Sequence, residues 1–390
     1  MKLQALIAGG GIGGLAAALA CSRAGCDVRL FERVDAFSEV GAGIQMGPNV
    51  TRILQAWGLG DALDAVAARP QRLQVRDALS GRELAALPLA DRALQRYGAP
   101  YLSIRRADLQ QLLLSAVRHR EGVHLNTGHI VQSWVESSDA LTLRTTDGLA
   151  VEGDLLIGAD GLWSRVRAQL LADGMPQPTG HLAYRAMVPQ SALPESLRSD
   201  QVTVWLGPKL HVVHYPVQRG ETLNIVVIVH GRADHAPGEW DHAAHASGLR
   251  AALAPVCPAL QARVQAIPGW RLWVLCDRPP MRGPDEHAQG RVALLGDAAH
   301  PMRPYLAQGA GMAIEDAAEL ERVLAMDALE VPLRLRRYAL NRWERNARVQ
   351  ARSARNGDIF HGSGLLRAGR NAAMALGGAR LLDLPWLYGQ

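Results

Sequence analysis

At 390 residues, 48% hydrophobic and 20% charged, the chain has the composition of a soluble globular protein with material for one large or two interleaved domains. Its formal net charge of +5 is carried almost entirely by arginine spread along the sequence, with no zinc spacing and no interleaved aromatic motif, so nucleic acid is not expected as a partner. Beyond the N-terminal run, no stretch approaches the ~20 uninterrupted apolar residues of a membrane helix, so no stable membrane association is expected.

Only 334–355 is dense in arginine, with the spacing of a solvated helix face. Cys21, Cys26, Cys257 and Cys276 form no C-x-x-C and read as buried thiols of a reducing cytoplasm; no metal site is expected.

Leu3 to Glu32 reads as strand, tight turn, helix and strand. Gly9, Gly11 and Gly14 fall at G-x-G-x-x-G spacing: the first permits the turn, the second lets a pyrophosphate approach the backbone, and the third lets helix and strand pack closely. The helix through Ala16, Ala17, Ala18 and Leu19 points its positive end at that phosphate, and Glu32, at the tip of the strand Val28-Leu30-Phe31, is placed to accept a ribose hydroxyl. Lys2 and the following apolar run to Ala20-Cys21 also outline a secretory or lipoprotein signal. Its glycines break such a helix and Ala18 is a poor residue three before the cysteine, so the nucleotide fold is preferred.

The glycine-loosened loop Val40-Gly41-Ala42-Gly43-Ile44-Gln45 returns the backbone to the ligand, and a helix follows Pro48-Asn49 through Leu54 and Trp57. Leu73 to Leu89 reads as a hairpin about Ser80-Gly81. The next helix presents Leu109, Leu112, Leu113 and Val117 on one face. Arg106 sits in its first turn, where a cation opposes the helix dipole; an anionic ligand or a salt bridge accounts for it. Strands at His124 to Ile130, Val131 to Val135 and Leu141 to Thr145 lead, past a turn at Asp147-Gly148, to Leu155-Leu156-Ile157 and Gly158-Ala159-Asp160-Gly161. Asp160 there touches a ligand, caps a helix, or does both.

From Gly180 to about Trp270 four alternating segments predict an antiparallel sheet in a second layer or domain. On the strand His211 to Tyr215, period two puts His211, Val213 and Tyr215 on one face and His214 on the other; a satisfied structural histidine is the first reading of either. A third strand ends in Gly296-Asp297, and Ala307-Gln308-Gly309-Ala310-Gly311-Met312 opens a helix. Two helix starts built of small residues suit a large ligand with a charge at each end.

In this order, Gly9 to Gly14, Gly158 to Gly161 and Gly296-Asp297-Ala298-Ala299-His300-Pro301 resemble the single-component FAD-dependent aromatic-ring hydroxylases over nearly the whole chain. Gly41 to Ile44, Gly47-Pro48-Asn49 and His300 to Ala310 look like those of the salicylate, 3-hydroxybenzoate and 6-hydroxynicotinate hydroxylases. The resemblance implies an α/β fold: a Rossmann-like FAD-binding domain with a mostly parallel sheet in three layers, from residues 1–72, 98–178 and 268–355. It is interleaved with a smaller antiparallel-sheet substrate domain, 73–97 and 179–267, and followed by a helical segment, 356–390, that covers the fold or makes a dimer contact.

It further implies that Gly9, Gly11 and Gly14 hold the pyrophosphate, Glu32 the adenosine ribose, Arg106 the ribityl-phosphate side and Ile130 the adenine. Asp297 would bind the ribityl or pyrophosphate region, and Gly309, Ala310, Gly311 and Met312 would aim N–H groups at the flavin pyrimidine edge. Gly13, Arg33 and Pro301 would also touch FAD, and Asp160 belongs to the motif linked to FAD and NAD(P)H.

The implied reaction uses NADH or NADPH and O2 to make a flavin C4a-hydroperoxide, which an electron-rich ring attacks after a base deprotonates its hydroxyl. His211 and Tyr215 match the ring-facing residues of the relatives. Where the hydroxynicotinate enzymes have histidines this chain has Gln45 and Tyr305, and where the 3-hydroxybenzoate enzymes have glutamine it has Pro304. The expectation is therefore a phenolic or hydroxypyridine carboxylate, with Gln45 and Tyr305 as substrate contacts and Arg185 or Arg303 as carboxylate partner, in a cytoplasmic monomer or homodimer. The alternatives are a hydroxylase of a lipophilic ring, as in ubiquinone synthesis, and an FAD-binding oxidoreductase without monooxygenation.

Overall fold

In the strand Gln4–Ala8, residues 5–8 are a continuous, fully buried apolar run because the strand is covered on both faces. The computed structural model describes residues 2–37, 42–232, 242–243 and 246–389; Val40 and Gly41 of the expected glycine loop lie outside them. Two compact units result, Met1–Glu39 with Leu109–Gln177 and Asp277–Ser353, and Val40–Asp108 with Pro178–Cys276 and Ala354–Gln390.

In the first unit the strand order is 288–289, 292–294, 155–158, 4–8, 27–32 and 123–127, all parallel except the first pair. A three-stranded antiparallel sheet (131–136, 141–145, 150–153) lays Leu141, Leu143 and Val151 against Leu6, Ala8, Leu156 and Leu294. The helices Ile12–Arg23 and Gly309–Leu324 pack on each other. The expected doubly covered parallel sheet is present, and the strand expected to reach Ile130 ends at Thr127.

The second unit is built on an eight-stranded sheet among the described residues; Val202–Gly207 pairs in parallel with Arg72–Asp77, while the run from Gln177–Pro189 through Thr222–His230 and Leu210–Val217 to Val202–Gly207, and the hairpin of Arg72–Asp77 with Glu83–Pro88, are antiparallel. One face buries Leu182, Tyr184, Leu210, Val212, Ile225 and Val227 under Leu260 and Val264 of the helix Pro258–Gln265. Residues 40–72 and 98–108, expected with the nucleotide unit, pack here instead. Strand Gly43–Met46 pairs with Leu102–Arg105, Gly43 N donates to Asn224 Oδ1 at 2.8 Å, and Ser103 Oγ donates to the Pro216 carbonyl. With 354–390 added, this unit is no smaller than the first. The tail helix Gly364–Gly377 is tied to the hairpin by Arg367, whose Nε and Nη2 reach the buried Asp77 carboxylate at 3.0 and 2.9 Å. Burial alone pushes the Asp77 carboxyl up, and the bonds from Arg367, Ser80 and Asn371 outweigh it and hold it well below the ordinary range.

The arginine-dense helix Val331–Phe360 is not simply a solvated face. Arg334 and Arg342 are buried: Arg334 donates to the Leu329 and Leu324 carbonyls, and Arg342 answers a carboxylate inside the first unit. Asp316, fully buried, accepts from Arg342 Nε at 2.7 Å, Asn346 Nδ2 at 2.8 Å, His300 Nε2 at 2.6 Å and the Gly296 amide at 3.1 Å. Burial raises its pKa, and the His300 and Arg342 charges more than reverse this.

Replacing Arg342 by Met strands that buried carboxylate and is expected to cost about 3–5 kcal/mol in urea unfolding. Because Asp316 is depressed in the folded state, its contribution is complete above about pH 4 and is lost as pH falls below that value. The variant should lose stability less steeply with acid than the parent; a cost below about 1 kcal/mol would show that the cluster carries no such energy.

Candidate functional site

In the first unit the glycines are dictated by close approach. Gly9 adopts φ +102°, and a Cβ there would sit 2.4 Å from the Ala159 carbonyl oxygen; one on Gly14 would sit 1.8 Å from the Gly9 carbonyl oxygen. Gly11 has nothing within 4 Å of its Cβ direction, so the approach to the helix start is open. The helix Ile12–Arg23 begins there with no side-chain cap and no acid in its first turn, leaving its amide dipoles to a ligand.

Glu32 lies beside this loop, accepting from the Gly10 amide and, at 3.1 Å, from Val34 N. Arg33 is exposed. Ile130 is partly exposed, and its carbonyl accepts from Thr146 N at 2.9 Å. Asp160 has its Cα against Gly9, while its carboxylate accepts from Ser164 Oγ and, at 2.7 Å, from Arg165 N; Ser164 is the N-cap of the helix Arg165–Leu171, accepting from Arg167 N at 2.9 Å. Burial pushes the Asp160 pKa up against those bonds.

Gly13 makes room for Leu295 and Ala313, which brings the second helix start beside the first. Gly296, at φ +61°, is pinned by Asp316, and the exposed Asp297 carboxylate lies 3.9 Å from the Cβ direction of Gly309. The helix Gly309–Leu324 likewise starts without a side-chain cap or a first-turn acid; Gly309 and Ala310 are half-buried, Gly311 and Met312 buried. Pro301 is buried, with its carbonyl accepting from Gln350 Nε2 at 2.8 Å. Arg303 is committed to Asp277 at 2.7 Å, and Tyr305 is buried. Two positive helix ends side by side, with an acid at a strand tip and an open glycine, fit a dinucleotide carrying a pyrophosphate.

The second unit gathers the other candidates on one sheet face. Tyr215 pairs across the sheet with Asn224, Val213 with Val226, and Val226 with Arg185, so these side chains share a face with His211. Gln45 takes a hydrogen bond from Tyr101 Oη at 2.8 Å and also meets the Tyr215 hydroxyl; burial raises the pKa of both phenols. The Arg185 guanidinium lies 5.0 Å over the Trp273 ring, and its buried Nε has no hydrogen-bond partner among the described residues. Burial, and then the nearby charge of Arg106, push the Arg185 pKa down. Arg106 therefore lies by Arg185, while the first-turn ion pair with Asp108 is made by Arg105.

His211 and Tyr215 are not brought into contact. Four residues of strand separate them by about 13 Å, and His211 Nδ1 is 2.7 Å from His361 Nε2. Burial, then His181, push the His211 pKa down to about 3. His214, on the opposite face, has neither ring nitrogen hydrogen-bonded among the described residues, and burial keeps it neutral.

Tyr101, Asn224, Trp273 and the Asp316–Arg342 pair escaped the sequence reading, since each acts through a partner distant in sequence. The Arg-rich helix was the one available signal for the last.

A family model described as an FAD binding domain matches residues 2–353. The chain is 37% identical to 3-hydroxybenzoate 6-hydroxylase 1 of Aquipseudomonas alcaligenes, covering 100% of this chain and 98% of that protein. It is 37% identical to 6-hydroxynicotinate 3-monooxygenase of Bordetella bronchiseptica, over 96% and 95%. Among solved structures, Klebsiella pneumoniae HpxO complexed with FAD and uric acid superposes with TM-score 0.85 at 28% identity, over 97% of this chain and 94% of that one. A salicylate hydroxylase substrate complex gives 0.84 at 28%, over 100% and 96%.

Gly11 is at φ −70°, where any residue fits, and faces open space. Gly11→Asp is expected to purify folded but to lose at least about nine-tenths of its bound flavin, read from visible against ultraviolet absorbance, because it sets a carboxylate where the helix dipole and amides await phosphate. Full flavin retention would contradict the assignment.

Proposed function

The chain belongs to the FAD-binding-domain family of aromatic-ring hydroxylases, and from that premise we propose that its substrate is a small phenol or hydroxypyridine bearing a carboxylate. It is an FAD-dependent monooxygenase with NADH or NADPH as electron donor. FAD, when bound, supplies the electron transfer and oxygen activation.

The observation that carries the reading is the buried Arg185 Nε, which lacks a hydrogen-bond partner among the described residues. Leaving a charged donor unsatisfied costs on the order of 1–3 kcal/mol or more, and a substrate carboxylate removes that cost with a charge-assisted bond. Trp273 holds the guanidinium plane, and Arg106 adds a second positive charge to the same place. Arg303 is already paired with Asp277, so Arg185 is the better carboxylate partner.

His211 stands about 7 Å along the strand from Val213, the residue in register with Arg185 through Val226. A ring anchored by its carboxylate at Arg185 extends its hydroxyl toward His211, which burial keeps neutral and so able to accept the phenol's hydrogen bond. Tyr215, Gln45 and Tyr101 form a hydrogen-bonded wall at the other end. The cationic floor argues against a lipophilic-ring hydroxylase.

Arg185→Met is expected to raise KM for the carboxylated substrate by about 10- to 100-fold, with a much smaller effect on the decarboxylated phenol. The measurement is NAD(P)H oxidation with oxygen uptake and peroxide followed in parallel across hydroxybenzoates and hydroxynicotinates. Equal losses for charged and uncharged rings would contradict the role given to Arg185.

A further inference from the structure

We propose that His181, His230 and His361 form a binding site for one divalent transition-metal ion, and that occupying it switches off the adjacent His211 as a proton acceptor. The second half rests on the role given to His211 above; the first does not.

Three separate segments build the cluster. His181 and His230 are cross-strand partners on Gln177–Pro189 and Thr222–His230, and His361 follows the long helix that ends at Phe360. One ligand nitrogen from each lies within 4.8 Å of the others. The ring centroids are 4.4 Å apart for His181 and His230, 5.1 Å for His181 and His361, and 4.9 Å for His230 and His361.

Backbone bonds fix the arrangement: Lys209 N donates to the His361 carbonyl and His230 N to the Lys209 carbonyl, both at 3.0 Å. His181 and His361 are buried while His230 is exposed, so an ion has an entry path from solvent. Three imidazoles leave a fourth, water-filled position around zinc, and nitrogen-only donors select Zn²⁺, Cu²⁺ or Ni²⁺ over Mg²⁺ or Ca²⁺. Tetrahedral bonds of about 2.0–2.1 Å put ligand nitrogens roughly 3.3 Å apart, so those within 4.8 Å of one another close by at most about 1.5 Å, within reach of ring rotations. Sequence spacing could not reveal the set, since His230 and His361 are 131 residues apart.

The coupling follows from proton bookkeeping. His230 Nε2 lies 2.9 Å from His361 Nδ1, and His361 Nε2 lies 2.7 Å from His211 Nδ1. The proposed switch assigns the metal-free rings the tautomers in which His211 Nδ1–H donates to His361 Nε2 and His361 Nδ1–H donates to His230 Nε2. His211 Nε2 is then unprotonated and accepts from the phenol hydroxyl. A metal on His361 Nδ1 moves the single proton of that neutral ring to Nε2 by exchange through solvent, with no net release, and from there it donates to His211 Nδ1. Neutral His211 must then hold its own proton on Nε2 and can no longer act as the acceptor.

The test uses tag-free, flavin-loaded protein. Equilibrium dialysis against Zn²⁺ is expected to give one ion per chain with sub-micromolar affinity, weakened at least about tenfold in His181→Ala and His230→Ala variants that retain flavin. Cu²⁺ in its place should show nitrogen hyperfine structure in its paramagnetic resonance spectrum. No binding, or binding unchanged in both variants, overturns the site. Zn²⁺ should also lower substrate-stimulated turnover with KM little changed; full occupancy with undiminished turnover overturns the switch. If His211→Asn hydroxylates at the parental rate while Zn²⁺ still binds, the role of His211 has failed and the site has not.

Discussion

The tightest glycine approach among the described residues sets up the rest: only a glycine at position 14 allows the first helix to come down on the carbonyl of Gly9. That contact fixes where the helix begins and leaves Gly11 facing open space. Gly13, in the same first turn, admits Leu295 and Ala313, so the second glycine-opened helix arrives beside the first. Neither helix start is capped by its own side chains, and the uncompensated amides of both are left to the cofactor's anionic groups. The buried Asp316 cluster is the counterpart of this strain-free packing, since it holds the Gly296 turn in its left-handed conformation from behind.

In the second unit the organising constraint is the period of the strand. Register places Arg185, Val226 and Val213 in one row and Tyr215 with Asn224 in the next, so a cation, a neutral imidazole and a phenol are spaced along one sheet face. The opposite face is apolar and closed by the helix Pro258–Gln265. A half-polar face of this kind is stable only if its buried donors find partners; on it Arg185 Nε and Asn224 Nδ2 have none among the described residues, and the proposed function gives Arg185 to the substrate carboxylate.

Much of this was legible in the sequence because its signals are local. The spacing within the three Gly-rich motifs, the Ser80-Gly81 turn and the alternation of strands in 182–229 lie within a few positions, although the glycines of the motifs answer contacts as distant as Ala159 and Leu295. The rest depends on contacts that spacing cannot carry. Arg334 and Arg342 have the periodicity of a wet helix face, yet they are buried by their carbonyl and carboxylate partners. His211 and Tyr215 do share a face, as alternation requires, but alternation says nothing of distance, and His361 claims one side of His211 from 150 residues away. The assignment of 40–72 to the nucleotide unit missed the bond from Gly43 to Asn224, for the same reason.

The central claim is that this flavoprotein inserts one oxygen atom into a carboxylated phenolic or hydroxypyridine ring. The most direct measurement is mass spectrometry of the product formed under isotopically labelled dioxygen with the compound that best stimulates NAD(P)H oxidation. The account predicts a product heavier by one labelled oxygen, with its carboxylate retained and little peroxide released. Unlabelled aromatic compound returned intact, with the label recovered as peroxide for every carboxylated ring tried, would contradict it.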